Sequence, residues 1–181
     1  MSILANFANA LPSTLEQGLI YALLALGILI TYSILDFPDL TVDGSFPLGG
    51  AISTVLVVNG MHPLLALLLA ALSGAAAGLC TGLIHVKLRV RDLFSGIIMM
   101  TALYSVNLHI AGGSALVSIP RKAVTLFRNN PVADGLPAAA STLILAAAVV
   151  LIVKLLLDGF MKTRAGYLLR AVGDNETVVT A

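Results

Sequence analysis

The sequence predicts an all-α protein that crosses a membrane several times. Of its 181 residues, 59% are hydrophobic and only 10% are charged. Soluble globular domains carry about 25% charged residues, so this composition argues against an aqueous fold. Apolar stretches of about 18 residues or more, which is the length of a membrane-spanning helix, recur along the chain. We therefore expect a polytopic helical membrane protein.

Five apolar segments are expected to enter or cross the membrane. In chain order they are residues 18–35, 46–60, 64–86, 93–111 and 138–157. The second has only fifteen residues and would form about 22 Å of helix, which is short of the roughly 30 Å hydrocarbon core. The second segment is therefore expected to be short or discontinuous, and residues 1–160 are expected to form the transmembrane domain.

Residues 36–50, DFPDLTVDGSFPLGG, are the least regular part of this domain, with three carboxylates among prolines and glycines. Irregular backbone at membrane depth is tolerated only where it is buried in protein or lines a water-filled cavity. Short segments interrupted by Gly or Pro therefore indicate a transport pathway. The candidate pathway residues are Asp36, Asp39, Thr41, Asp43, Ser45 and Phe46. The alternative is a solvated loop whose aspartates face water.

The third predicted span carries three glycines spaced four residues apart, namely Gly74, Gly78 and Gly82. Small residues at this spacing allow another helix to approach closely, which matters in a bilayer because lipid gives no hydrophobic drive to helix association. Packing within the chain is the expected use of this glycine stripe. A subunit interface is the alternative.

Residues 161–181, MKTRAGYLLRAVGDNETVVTA, form a polar and basic tail after the last apolar segment. Gly166 is expected to interrupt the helix, and Gly173 is expected to supply the left-handed conformation that ends many helices. A short helix would lie between the two glycines. Asp174 or Asn175 would cap a further helix, which begins near Glu176 and has only its first residues before Ala181. The tail is thus predicted to be a docking element beside the membrane.

Basic residues in the connecting segments predict the orientation of the chain, because they favour the cytoplasmic side. One side would hold Lys87, Arg89, Arg91, Lys162, Arg164 and Arg170. The other side would hold Arg121, Lys122 and Arg128. This distribution places the N-terminus outside and the tail in the cytoplasm.

Signals of catalysis are lacking in the sequence. It contains no H-E-x-x-H, G-x-S-x-G or Walker A pattern, and no Cys/His pair has the spacing of metal ligands. We therefore expect no catalytic residue, metal site or cofactor in this chain. The net charge of +1 gives no reason to expect a nucleic acid partner.

Three segments of the chain, LDFPDLTVDGSFPLGGA, GIIMMTALYSVNLHIAGG and GYLLRAVGDNE, resemble ABC-importer permeases. The family is the one that includes the branched-chain amino acid and ribose permeases. The resemblance extends over residues 14–181 and is strongest to a branch of amino-acid or aromatic amino-acid uptake permeases. The tail is the motif most specific for the family, and TVDGSFPLGG is most specific for the branch.

The resemblance implies that residues 164–175 form the cytoplasmic coupling helix, which sits in a groove of an ATPase subunit and carries nucleotide-driven motion into the membrane. The residues that match it are Arg164, Gly166, Tyr167, Leu168, Arg170, Gly173, Asp174 and Asn175. The two arginines would make polar contacts, and Tyr167 and Leu168 would be apolar anchors.

The resemblance also implies an assembly in the cell membrane, inner or plasma, of two permease subunits, as a homodimer, with two cytoplasmic ATPases and an external substrate-binding protein. ATP would bind the partner ATPases. Family members continue with further spans after the coupling helix, so a truncated chain is expected.

The resulting functional hypothesis is ATP-driven import of a small solute by alternating access. The solute would be an amino acid and, on resemblance alone, an aromatic one. One alternative is an inactive truncated fragment or a membrane scaffold without transport. A second alternative is a secondary transporter driven by ions that bind the aspartates.

Overall fold

The computed structural model describes residues 3–114, 117–120, 123–125 and 141–174. The α-helices of these residues are α1 (Ile3–Ile28), α2 (Val42–Val58), α3 (Pro63–Leu88), α4 (Asp92–Ile110), α5 (Ser141–Met161) and α6 (Arg164–Asp174). The chain divides into two compact units. The terminal unit comprises Met1–Asp36 and Asn130–Ala181, and the central unit comprises Phe37–Asn129.

Four helical segments of the described chain are long and apolar enough to cross a bilayer. They are Ala10–Ile34, Pro63–Leu88, Asp92–Ile110 and Ser141–Met161. Helix α2 is a shorter apolar helix of 17 residues, about 26 Å long. The architecture confirms the predicted all-α, multi-pass membrane protein with a short second segment.

Helix α2 begins earlier than the sequence predicted. The expected start was residue 46, whereas the helix begins at Val42 and continues through Pro47. Its first turn is closed by hydrogen bonds from the backbone N–H groups of Gly44 and Ser45 to the carbonyl of Thr41, at 3.0 and 2.8 Å. Proline removes one helical hydrogen bond without necessarily ending a helix. The irregular segment is therefore shorter than predicted.

The central unit is built from α2, α3 and α4, which all pack on one another. Its core cluster contains the buried Leu48, Ala77 and Leu103. Two short connections join the helices, and α3 begins with Pro63, where a proline ring fits a helix start without loss of a hydrogen bond. The chain reverses direction before α3 and again after it, so α2 and α4 run in the same direction.

Two glycines of the central unit mark its closest backbone approaches. A Cβ atom built on Gly44 would lie 3.0 Å from the Cβ of Leu103 and 3.1 Å from the Cα of Met100. A Cβ atom built on Gly96 would lie 2.8 Å from the backbone nitrogen of Leu40. A side chain at position 96 would require the backbone to shift, and one at position 44 would require its neighbours to yield by a few tenths of an ångström. The two glycines therefore help to set the distance of α4 from α2 and from the connector before it.

The glycine stripe of α3 is not one of these contacts. Cβ atoms built on Gly74, Gly78 and Gly82 meet no heavy atom of the described residues within 4 Å. The residues that α3 buries are Ala66, Ala70, Ala77 and Thr81. The expected packing of the stripe within the chain is thus not found in the described part of the structure, because α3 turns a different, alanine-rich face to its neighbours.

In the terminal unit, α1 continues into a π-helical turn, Leu29–Ile34. The turn is closed by a hydrogen bond from the backbone N–H of Leu35 to the carbonyl of Ile30, five residues earlier, at 3.1 Å. Helix α5 packs along α1, and α6 packs against both α5 and the π-helical turn. The terminal unit therefore joins the first span, the last described span and the tail.

Candidate functional site

The polar connector between the π-helical turn and α2 begins at Asp36. This residue is exposed and adopts a left-handed conformation with φ of 54°. Asp tolerates that conformation better than most residues because its short polar side chain can bond locally. The backbone then runs without helix to Thr41. The structure therefore shows the predicted interruption, although over fewer residues.

Asp39 shapes the end of the connector. One of its carboxylate oxygens accepts a hydrogen bond from the backbone N–H of Thr41 at 2.8 Å. This is the side-chain-to-backbone bond with which Asp stabilises turns. Asp39 is half-buried. Its carboxylate therefore has a local structural partner just before α2 begins.

Thr41 anchors the connector to α3. Its hydroxyl lies 2.7 Å from that of Thr81, and each residue is only 2% exposed. The hydroxyl of Thr81 donates to the carbonyl of Ala77 at 3.1 Å. A hydroxyl has a single proton, so Thr41 must be the donor between the two threonines. This pairing satisfies both buried hydroxyls.

The other predicted pathway residues lie in the first turns of α2. Asp43 and Phe46 are exposed, and Ser45 is half-buried. Asp43 stands in the first turn, where a negative charge is favoured by the helix dipole. Whether these residues line a pathway remains a prediction. The structure does place Asp43 beside a groove that the sequence analysis did not identify.

This groove lies between the parallel helices α2 and α4, and we call it the α2–α4 groove. Its larger part has a volume of about 360 Å³, and its residues include Pro47, Ala51, Thr54, Tyr104, Asn107 and Leu108. Its smaller part, of about 230 Å³, is lined by Asp43, Gly44, Met100, Thr101 and Tyr104. Tyr104 borders both parts. The groove thus has mostly apolar walls and a carboxylate at the end where α2 begins.

Asn107 is one of the polar residues that line this groove. Its side-chain nitrogen donates to the carbonyl of Gly44 at 3.0 Å. Its side-chain oxygen Oδ1 is buried and has no hydrogen-bond donor among the described residues. Sequence analysis gave this residue no role. The available signal was an amide side chain inside an apolar span, where polar groups are costly and commonly functional.

The tail helix differs from its predicted form. Helix α6 spans Arg164–Asp174, so Gly166 and Gly173 lie inside it rather than at its ends. Neither glycine has a positive φ. The helix starts earlier because the Thr163 hydroxyl accepts a hydrogen bond from the backbone N–H of Gly166 at 3.4 Å, as an N-cap does.

The two glycines of α6 instead allow close packing. A Cβ atom on Gly166 would lie 2.5 Å from the carbonyl oxygen of Phe160, near the end of α5. A Cβ atom on Gly173 would overlap the carbonyl oxygen of Ile34 in the π-helical turn. The glycines are seven residues apart and share one face of the helix. That face fixes α6 to two membrane helices.

Several other side chains of α6 are exposed. Tyr167 is 61% exposed and Leu168 is 57% exposed, and the neighbouring Arg164 and Arg170 are exposed as well. Large apolar side chains flanked by arginines are typical of protein interfaces.

Some predicted features of the tail lie outside the described residues, namely Asn175, the side chain of Asp174 and the expected start of a further helix. The same holds for Arg121, Lys122 and Arg128, on which the predicted orientation partly depends.

Comparison with known proteins identifies similar sequences. Residues 11–181 match the family described as "Branched-chain amino acid transport system / permease component". A tyrosine transport system permease protein of Clostridioides difficile (strain R20291) is 44% identical over 171 residues, which cover 94% of this chain and 54% of that protein. An uncharacterised protein of Rickettsia prowazekii (strain Madrid E) is 39% identical over 102 residues, 56% of this chain and 36% of that protein.

The chain thus spans about half the length of the tyrosine transport permease that it matches. No solved structure matches the chain.

Proposed function

The chain belongs to the permease family of branched-chain amino acid transport systems, and from this premise we propose that it is the membrane permease of an ATP-driven amino-acid importer. The observation that carries the proposal is the family match over residues 11–181. The substrate class is proposed to be aromatic amino acids, because a relative that is 44% identical is named as a tyrosine transport permease.

Helix α6 is proposed to be the element that couples the permease to a cytoplasmic ATPase. Its exposed side offers Tyr167 and Leu168 as apolar anchors, with Arg164 and Arg170 as charge-assisted hydrogen-bond donors. Gly166 and Gly173 hold the helix against α5 and the π-helical turn. A force on the exposed side would therefore pass into two membrane helices at once.

The proposed assembly contains two copies of the permease, two cytoplasmic ATPase subunits and an external substrate-binding protein. ATP binds the ATPases, and closure of the ATPase pair moves α6. The pathway then opens alternately to the two sides of the membrane. This mechanism requires α6 on the cytoplasmic side and the N-terminus outside, as the distribution of basic residues predicts.

The proposal is tested by co-purification of the permease with its ATPase after the change Arg170→Glu. Reversal of this exposed charge should weaken the complex about tenfold or more, because a charge-assisted hydrogen bond becomes a like-charge or unpaired contact. Arg91→Glu is the matched control, since Arg91 is also exposed and predicted to be cytoplasmic but lies outside α6. The co-purified complex is then assayed for ATP-dependent tyrosine uptake.

Retention of the ATPase by Arg170→Glu at the level of Arg91→Glu would remove α6 from the coupling interface. Uptake that proceeds without ATP or an ATPase would contradict the importer mechanism itself.

A further inference from the structure

Asp43 is level with the middle of the membrane-spanning helix α4. A Cβ atom built on the next residue, Gly44, would lie 3.1 Å from the Cα of Met100 and 3.0 Å from the Cβ of Leu103. In a helix that runs from Asp92 to Ile110, Met100 is about 12 Å from the start and about 15 Å from the end. Because α4 is long and apolar enough to cross a bilayer, these distances place Asp43 near the middle of the hydrocarbon core.

A carboxylate at this depth needs a partner. Charged side chains within membrane-spanning segments are costly, and they pair with other groups or face a water-filled cavity. Asp43 is exposed, and no basic residue of the part of the chain that the structure describes lies within ion-pair distance of it. It lines the smaller part of the α2–α4 groove together with Met100, Thr101 and Tyr104. A cation that enters this part of the groove can therefore reach the carboxylate.

The start of α2 offers this negative charge but few free hydrogen-bond donors. Backbone N–H groups at the start of a helix often bind anions. Here the N–H of Asp43 donates to the carbonyl of Leu40 at 3.3 Å, and those of Gly44 and Ser45 donate to the carbonyl of Thr41 at 3.0 and 2.8 Å. The first turn thus has its N–H groups engaged within the chain, and the site suits a cation rather than a carboxylate.

The other walls of the groove suit a cation that is attached to an apolar body. Tyr104 borders both parts of the groove, and aromatic rings attract cations that approach their faces. The larger part, of about 360 Å³, is mostly apolar and includes Pro47, Ala51 and Leu108. The described residues contain no group of three or more side chains that could hold a metal ion. A single carboxylate therefore fits an ammonium group better than a metal ion, which needs several ligands.

We propose that Asp43 binds the ammonium group of the transported amino acid at the middle of the membrane, in the smaller part of the α2–α4 groove. The amino-acid class rests on the proposed function, whereas the depth and the charge of the site rest on the structure. The side chain of the amino acid lies along Tyr104 and the apolar walls of the larger part. Its carboxylate has no partner in this site and stays hydrated in the open groove.

The test is equilibrium binding of labelled L-tyrosine to the full chain in nanodiscs of neutral phosphatidylcholine, with tyramine and 3-(4-hydroxyphenyl)propionate as competitors. Tyramine keeps the ammonium group and lacks the carboxylate, whereas the propionate keeps the carboxylate and lacks the ammonium group. Tyramine should compete about as well as L-tyrosine. The propionate should compete about tenfold less well, because it loses the charge-assisted bond to Asp43. These wild-type comparisons do not depend on whether a variant folds.

Substitution of Asp43 assigns the contact. Asp43→Asn keeps the size of the side chain and removes its charge, so it should weaken L-tyrosine and tyramine about tenfold and leave the propionate unchanged. Asp92→Asn is the matched control, because Asp92 is likewise the acidic residue in the first turn of its helix. It stands at the start of the span α4 and lines neither part of the groove. This control should change the binding of no probe.

The site is overturned if wild-type protein binds no probe, if the propionate competes as well as tyramine, or if folded Asp43→Asn binds tyramine as tightly as Asp92→Asn does. Displacement of tyramine by sodium chloride, but not by choline chloride at the same ionic strength, would identify a sodium site and would also overturn it.

The outcome is separable from the proposed function. If the permease co-purifies with its ATPase but lacks the ammonium site, the importer stands and the site falls. If Asp43 is needed for tyramine binding in a chain that binds no ATPase, the site stands and the importer falls.

Discussion

The glycine stripe of α3 and the glycine contacts of α4 use the same residue in opposite ways. Gly74, Gly78 and Gly82 have the regular spacing of a helix-packing motif, yet no described atom lies close to where their side chains would be. Gly44 and Gly96 belong to no such motif, yet a methyl group at either position would press on a neighbouring segment of the same chain. Regular glycine spacing therefore shows that another helix could approach this face closely. Whether one does can be seen only from the atoms that lie opposite the glycines.

The difference depends on what lies opposite each glycine. Gly96 faces the backbone of Leu40, and Gly44 faces the backbone of Met100 and the side chain of Leu103. Backbone cannot move away without shifting a whole helix, whereas a flexible side chain can. A methyl group added to the stripe on α3 would meet no described atom within 4 Å. Substitutions at the two sets should therefore differ strongly.

The largest effect is expected for Gly96→Ala, which forces a methyl group to within 2.8 Å of the backbone nitrogen of Leu40. Overpacking of this kind should lower the free energy of unfolding by about 3 kcal/mol. Denaturant titration of the chain in detergent micelles, followed by circular dichroism, measures this loss. If Gly96→Ala were as stable as wild type, the close approach of the connector to α4 would be wrong.

An intermediate effect is expected for Thr81→Val on the packed face of α3. The change keeps the shape of the side chain but leaves the buried hydroxyl of Thr41 without its acceptor. The same titration should show a loss of about 1.5 kcal/mol. The double variant Thr41→Val/Thr81→Val should recover much of it, because no unpaired hydroxyl remains. A double variant that is less stable than the single one would contradict the pairing.

The smallest effect is expected for Gly78→Ala in the stripe. No described atom lies within 4 Å of the added methyl group, and alanine favours helix over glycine by about 1 kcal/mol. The monomeric chain should therefore be unchanged or slightly more stable, within about 1 kcal/mol. A clear loss that depends on protein concentration would show instead that the stripe is a subunit interface.

The membrane segments could be predicted from the sequence because apolar length and flanking charges are local properties. The third and fourth spans begin and end within two residues of expectation, at Pro63–Leu88 and Asp92–Ile110. The sequence analysis placed the starts of two helices too late, and the structure shows them at Val42 and Arg164. Both errors have the same reason. Gly and Pro were interpreted as breaks, although a helix tolerates them when its first turn is closed by nearby groups such as Thr41 and Thr163.

The site could be predicted only in part. The connector with its aspartates was visible as a cluster in the sequence, and so was the basic tail. The groove was not, because it depends on pairing across long separations, such as the 63 residues between Asn107 and Gly44. Nothing near Asn107 in the sequence indicates which carbonyl its nitrogen will meet. The packing role of Gly173 was hidden likewise, because its neighbour Ile34 lies at the far end of another helix.

The π-helical turn Leu29–Ile34 affects where the protein can lose a residue without loss of its helix packing. A turn closed over five residues instead of four holds one residue more than an α-helical turn does. An in-frame deletion of one codon here would leave a regular α-helical turn that covers nearly the same rotation with one residue fewer, so Leu35 and Asp36 would keep their places. The contact between the π-helical turn and Gly173 would be kept as well. A codon lost from the α-helical part of α1 would instead rotate the residues on its two sides by about 100° relative to each other and would damage the join between the first span and the tail.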